Sequence, residues 1–222
     1  MCGRMTLHAT GEELAELFDL DRPPVVPPRY NVAPSQLLAV IGLKADDMTR
    51  SLVPMSWGFV PHWANDPSDG PKPVNAKSET VLANGAFRES ARRKRCVIPA
   101  SGFYEWATVS KRKIPHYFTA TDGKPFAFAG LYDGWTDENG KVLHTCCILT
   151  TTANEVVGEL HDRMPVILPR STIGHWLDRH TDTNDALSLC VPYPAQEMQS
   201  VVVSTYVNKA TNEGEECIRA VA

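Results

Sequence analysis

The stretch HYFTATDGKPFAFAGLYDGWTDENGKVLHTCCILTT, residues 116–151, reads as three successive β-strands separated by two turn signals. Apolar and aromatic residues at 116–120, 126–132 and 143–151 form runs of strand length bounded by polar clusters, and Asp122-Gly123 and Asn139-Gly140 are dipeptides that tight hairpin turns favour. Within the third run, Cys146-Cys147 behave as small hydrophobes of a core strand. Working outward, the same pattern predicts strands at 37–43, 51–57, 96–99, 103–108, 164–168 and 200–206. Thr10 followed by Glu13 has capping-box spacing, and Leu14, Leu17 and Phe18 share one face, which predicts a helix over 11–20. Further short helices are expected at 79–84 with Ser78 as cap, 86–95, 153–159 and 172–179. Pro23-Pro24 and Pro27-Pro28 force an extended connection, and a loop rich in Pro, Gly and Asp runs from Pro61 to Pro73. Strands outnumber helices without alternating with them. The expected fold class is therefore α+β, with a largely antiparallel, barrel-like sheet and flanking short helices in one domain spanning 1–222.

The chain has 222 residues, 43% of them hydrophobic and 22% charged, and carries a net charge of −4. That balance suits a globular core without staples and supplies no apolar run of the ~20 residues a bilayer span needs. No secretory signal follows Met1, so a cytoplasmic protein with no membrane partner is expected. Six cysteines (Cys2, Cys96, Cys146, Cys147, Cys190, Cys217) show no metal-ligand spacing, so neither a metal site nor another cofactor is expected. The acidic balance excludes a generic electrostatic grip on nucleic acid but allows a local one. Positive charge concentrates at Arg88, Arg92, Arg93, Lys94 and Arg95 and at Lys111-Arg112-Lys113, each readable as a solvated helix face.

Cys2, in Met1-Cys2-Gly3-Arg4, becomes an N-terminal 1,2-aminothiol once Met1 is removed. Only such a residue can condense with an aldehyde through its amine and then close a five-membered thiazolidine with its thiol. The α-amine, with a reference pKa of about 7.7–8.0 against about 10.4 for lysine, is also far more often neutral at physiological pH. Other polar residues stand in apolar or turn-like surroundings: Pro73-Val74-Asn75-Ala76-Lys77-Ser78-Glu79-Thr80, Ser101-Gly102-Phe103-Tyr104-Glu105-Trp106 and Leu160-His161-Asp162-Arg163-Met164-Pro165. Glu105 lies between aromatics in a predicted strand, where a carboxylate is out of place unless partnered or used.

Together with Arg29-Tyr30-Asn31-Val32-Ala33-Pro34, Trp57-Gly58 and Val207-Asn208, these segments resemble the SOS-response-associated peptidase (SRAP) domain proteins, which shield abasic sites in single-stranded DNA by covalent attachment. The resemblance runs over nearly the whole chain. It implies Cys2 as nucleophile, Asn75 as positioning amide, and Glu105 and His161 as an acid/base pair for opening the sugar and shuttling protons. It further implies Arg4, Lys77 and Arg163 at DNA phosphates and Pro34 and Trp63 as surfaces stacking on bases. The implied partner is single-stranded DNA containing abasic sites, bound by a monomer that is nucleoid-associated when engaged. Met1 would leave by an aminopeptidase or by self-cleavage. The chain departs from the family at Lys77, where arginine is usual, and at Ala64, where some members carry a second tryptophan. It lacks the long C-terminal extension of eukaryotic members, which implies a bacterial, domain-only type. Two rival readings remain open on the residues alone. One is an N-terminal-nucleophile cysteine amidohydrolase or peptidase, and the other a non-catalytic single-strand binding module.

Overall fold

The computed structural model describes residues 2–221. Its strands are β1 (Met5–Leu7), β2 (Arg29–Val32), β3 (Leu37–Leu43), β4 (Arg50–Trp57), β5 (Asn75–Lys77), β6 (Arg95–Ala100), β7 (Gly102–Val109), β8 (Arg112–Ala120), β9 (Phe126–Thr136), β10 (Val142–Thr152), β11 (Arg163–Pro165) and β12 (Met198–Val202). The α-helices are short: α1 (Gly11–Phe18), α2 (Arg88–Arg93), α3 (Glu155–Gly158), α4 (Ile173–Leu177) and α5 (Thr183–Ser188). The α+β class and the barrel-like antiparallel sheet are as expected. No helix among the described residues is long and apolar enough to cross a membrane.

Five strands close on themselves. The β3–β4 hairpin pairs through β3 with β6, β6 with β9 and β9 with β10, and β10 returns to β4 in the one parallel join of the ring, at Thr145↔Ser56 and Cys146↔Trp57. Beyond that join β10 takes on β5 (Ile148↔Asn75) and, antiparallel, β11 (Thr151↔Met164). A second sheet, ordered β12-β8-β7-β1-β2, is antiparallel throughout.

Side-chain alternation along the barrel strands builds two cores. Leu38 and Val40, Cys96 and Ile98, Phe128, Cys146 and Ile148 pack with Met5, Phe103 and Phe118 of the second sheet. Their neighbours Ile41, Val97, Ala129, Leu131, Cys147 and Leu149 pack instead with Leu14 and Phe18 of α1 and Ile173 and Trp176 of α4. The barrel strands are thus buried on both faces, which is why they read as continuous apolar runs rather than alternating ones. All six cysteines are buried and unpaired.

The predicted boundaries hold best where turn chemistry is strong. Helix α1 carries the full capping box, with Thr10 Oγ1 accepting from Glu13 N at 3.2 Å and Glu13 Oε2 accepting from Thr10 N at 2.7 Å. The expected helix at 79–84 is instead a single 3-10 turn, Ser78–Thr80, because the Ser78 hydroxyl donates to the Thr150 carbonyl at 3.1 Å rather than capping. The basic helix expected over 86–95 ends at Arg93; Arg95 opens β6, is 4% exposed, and its guanidinium donates to the carbonyls of Ala91, Arg92, Trp176 and Asp178. Lys111-Arg112-Lys113 is no helix face either: Ser110 and Lys111, at φ 47° and 67°, make the two-residue turn joining β7 to β8. The strand expected over 200–206 is Met198–Val202, followed by a 3-10 turn at Thr205–Asn208. Strands β1, β2 and β5 and helix α5 had not been expected.

Where β1, β7 and β8 meet, the packing leaves no room for a methyl group. A Cβ on Gly102 would lie 2.5 Å from both the Phe118 carbonyl oxygen and the Tyr117 ring. Gly102→Ala is therefore expected to lower stability by about 1–3 kcal/mol through overpacking, read as an earlier urea midpoint at unchanged slope.

Candidate active site

The N-terminal strand sets the position of Cys2. Met5 pairs with Val32 on one side and Phe103 on the other, and the Tyr104 amide donates to the Arg4 carbonyl at 3.0 Å. Cys2 is thereby carried into the core shared by Met5, Val32 and Phe103, fully buried. Asn75, at the head of β5 and paired with Ile148, reaches across from the barrel, and its Nδ2 donates to the Cys2 carbonyl at 2.8 Å. The Asn75 Oδ1 atom is buried without a hydrogen-bond partner among the described residues. Glu105 stands on β7 opposite His116 of β8 and is 7% exposed.

His161 follows α3, whose start is capped by Asn154 accepting from the Val157 amide at 3.0 Å. The His161 amide closes that turn on the Val157 carbonyl at 3.0 Å. Its ring Nδ1 lies 3.0 Å from the Arg163 amide and 2.9 Å from Asp162 Oδ1. One nitrogen cannot accept from the first and donate to the second at once. In the neutral ring Nδ1 accepts from the fixed backbone amide and Nε2 carries the hydrogen, while the exposed Asp162 carboxylate turns to water.

Electrostatics ties Cys2, Glu105 and His161 together. Burial pushes the Cys2 thiol well above its ordinary range, and the negative charge of Glu105 adds to that rise. Burial likewise raises the Glu105 carboxyl, opposed in part by His161. The result is a neutral thiol beside a carboxyl moved toward neutrality, which is the condition a reversible proton donor requires. Glu105 thus lies in the field of His161, and Cys2 in that of Glu105, although the three come from separate segments of the sequence.

The residues expected to bind DNA are arranged less simply. Lys77, Pro34 and Trp63 are exposed, Trp63 at 60%. The two arginines have protein partners. Arg4 Nη1 donates to Asn31 Oδ1 and to the Val207 carbonyl at 2.9 Å, with its guanidinium 5.5 Å from the Trp106 ring centroid. Arg163 holds Glu79 by two hydrogen bonds, both 2.8 Å, and donates to the Thr150 carbonyl at 2.6 Å.

Sequence reasoning named the motifs but not the residues that brace them. Buried Asn31 donates through Nδ2 to the carbonyls of Val207, Lys209 and Asn212 while its oxygen accepts from Arg4, so one amide ties β2, the C-terminal segment and Arg4 together. Asn208 accepts from Trp106 Nε1 at 2.7 Å and donates to the Lys113 carbonyl at 3.0 Å, fixing the face of Trp106 under Arg4. The available signal was an asparagine set between Tyr30 and Val32 in an extended segment. The four catalytic candidates do not line the apolar groove of about 330 Å³ between Val25–Pro27, Leu37–Ala39 and Pro99.

Glu105 gives a stability test. A carboxyl raised by folding contributes its stability below the unfolded value of about 4.3 and loses it as pH rises through the folded value. Glu105→Gln removes that loss, so thermal melts should show the variant a few degrees above the parent near neutral pH, with the gain shrinking toward about pH 4. An identical difference at both pH values would show that Glu105 titrates normally.

The sequence matches the family described as SOS response associated peptidase (SRAP) over residues 1–210. It is 42% identical to the abasic site processing protein YoaM of Bacillus subtilis over 226 residues, covering 99% of this chain and 98% of that protein. It is 31% identical to the abasic site processing protein YedK of Escherichia coli, covering 100% of each. A crystal structure of a protein from Bacteroides thetaiotaomicron shares the fold, with a TM-score of 0.88 at 24% identity over 99% of this chain and 100% of that one. Another, from Bordetella bronchiseptica, superposes with a TM-score of 0.80 at 26% identity, covering 91% of this chain and 100% of the other. With the family matched across residues 1–210 and relatives aligned end to end, this chain belongs to the SOS response associated peptidase (SRAP) family.

Proposed function

We propose that this protein processes abasic sites in single-stranded DNA by forming a thiazolidine crosslink between Cys2 and the sugar aldehyde after Met1 has been removed. The observation that carries this reading is the neutral, fully buried Cys2 thiol held through its carbonyl by Asn75 and lying in the field of Glu105. A thiol in that state is a poor first nucleophile. The α-amine therefore attacks first: its nitrogen bonds to the aldehyde carbon, the carbinolamine oxygen leaves as water with protons shuttled by Glu105 or His161, and an imine results. The thiol sulfur then adds to the imine carbon while its proton passes to the nitrogen, closing the ring. Asn75 Oδ1, buried without a partner among the described residues, can accept from the amine and hold it on the same side as the thiol. A cysteine amidohydrolase, by contrast, needs the thiolate that burial disfavours here.

Substrate binding in this reading falls to Lys77, Arg4 and Arg163 at phosphates and to Pro34 and Trp63 at bases. Lys77 is exposed and two residues from Glu79, which occupies Arg163. A phosphate reaching Arg163 must displace that carboxylate. Glu79→Ala should accordingly strengthen single-stranded DNA binding several-fold and steepen the log–log salt dependence by about 0.7, the increment for one more phosphate neutralised. An unchanged affinity and slope would place the phosphate away from Arg163.

The crosslink is tested on both halves of Cys2. Cys2→Ser and Cys2→Ala keep the amine, so a borohydride-trappable imine with abasic DNA should persist while the heat-stable adduct disappears. An uncleavable residue added before Cys2 converts the amine to an amide and should abolish both species. A heat-stable adduct formed by the extended protein would refute the thiazolidine.

A further inference from the structure

Trp63 is the most exposed tryptophan of the chain, yet the backbone around it is anchored at alternate residues by side chains of the β9–β10 hairpin. The Thr145 hydroxyl accepts from the Val60 amide at 2.9 Å and lies 3.2 Å from the Val60 carbonyl. Asp133 Oδ2 accepts from the His62 amide at 2.9 Å and lies 3.0 Å from His62 Nδ1. Trp135 Nε1 donates to the Ala64 carbonyl at 2.7 Å. Thr145 and Asp133 are direct cross-strand partners, and Trp135 follows two residues on, so all three side chains share one face of the hairpin. Residues 60, 62 and 64 face that row, and residue 63 between them projects outward.

Asp133 is the centre of the row. Its side chain is 2% exposed, and its second oxygen accepts from Lys94 Nζ at 2.6 Å and from the Gly134 amide at 2.8 Å. A buried carboxylate with this many donors is rigid as well as satisfied. Removing it releases the His62 amide and ring together, and with them the entry to the tryptophan turn.

We infer that Asp133, with Thr145 beside it, is a positioning residue for nucleic-acid binding: it fixes the Pro61–Ala64 turn so that Trp63 meets a base as a preformed stacking surface. The inference rests on the proposed stacking role of Trp63. Ordering an exposed loop during binding subtracts from affinity, so a turn held in place beforehand binds more tightly through the same stacked surface. Positioning of this kind leaves a distinctive signature: the benefit of Asp133 exists only while Trp63 is there to be positioned.

The test is a double-mutant cycle on the full chain, read as affinity for a fluorescently labelled, undamaged single-stranded oligonucleotide. Trp63→Ala should weaken binding on the order of 5–100-fold, the range expected for loss of one stacked base. Asp133→Asn should weaken it several-fold in the parent and have little further effect in the Trp63→Ala background. Thr145→Val, which removes the hydroxyl that holds Val60 but keeps side-chain shape, should behave in the same way and serves where Asp133→Asn fails to fold by circular dichroism. Equal losses from Asp133→Asn or Thr145→Val with and without Trp63 would overturn the inference, as would unchanged binding by the folded variants. Parent affinity in Trp63→Ala would overturn it together with the stacking role, while crosslinking through Cys2 to abasic DNA would still stand or fall separately.

Discussion

Three residues of strand hold the Cys2 end of the described chain in place. β1 is wedged between β2 and β7, and the hydrogen bond from the Tyr104 amide to the Arg4 carbonyl fixes the chain two residues from Cys2. An N-terminus is ordinarily among the least ordered parts of a domain unless something ties it down. Here the tie is a central position in an antiparallel sheet, backed by Met5 in the core and by Asn75 on the Cys2 carbonyl. The same strand determines where Glu105 stands, because Met5 pairs with Phe103 and Glu105 lies two residues further along β7. Register, once set, puts Cys2 in the field of the Glu105 carboxyl.

That arrangement carries a cost in stability. Cys2 and Glu105 are both groups whose charged forms burial disfavours, and Asn75 Oδ1, Arg4 Nε and Arg163 Nε are buried without hydrogen-bond partners among the described residues. A buried polar atom left in this state typically costs about 1–3 kcal/mol. Asn75, Arg4 and Arg163 are residues that sequence reasoning assigned to catalysis or to DNA, Ser90 Oγ on α2 is orphaned as well, and Asp133 and Arg95 have their hydrogen bonds filled.

Much of the barrel was legible because its information is local. The runs at 37–43 and 143–151 match β3 and β10 to within a residue, since an apolar run bounded by Asn139-Gly140 admits little else. Strands β1, β2 and β5 were invisible for the opposite reason: three or four residues long, they are strands only because a partner lies beside them. Arg95 misled because a basic residue at the end of a basic run reads as solvated surface, whereas here carbonyls at the ends of α2 and α4 supply four acceptors to an otherwise buried guanidinium. The site residues were found as chemical types in odd surroundings and through family resemblance. Their bracing roles, those of Asn31, Asn208, Glu79 and Asp133, were not, because each acts through partners distant along the chain.

The two arginines assigned to phosphate contacts are held in different ways, and the difference bears on how the proposed binding works. Arg4 is held by a neutral amide, a backbone carbonyl and the face of Trp106, partners that orient its guanidinium without neutralising it. A phosphate arriving there meets a full positive charge already in position. Arg163 is held by a carboxylate in a bidentate pair, so a phosphate arriving there exchanges one anion for another and gains little net Coulomb energy. Glu79, once released, would still stand two residues from Lys77 and repel the strand that replaced it. On this argument Arg4 contributes to affinity for any single strand. Arg163 adds to it only when the DNA is seated well enough to outcompete Glu79, which favours a substrate already anchored elsewhere over a passing phosphate.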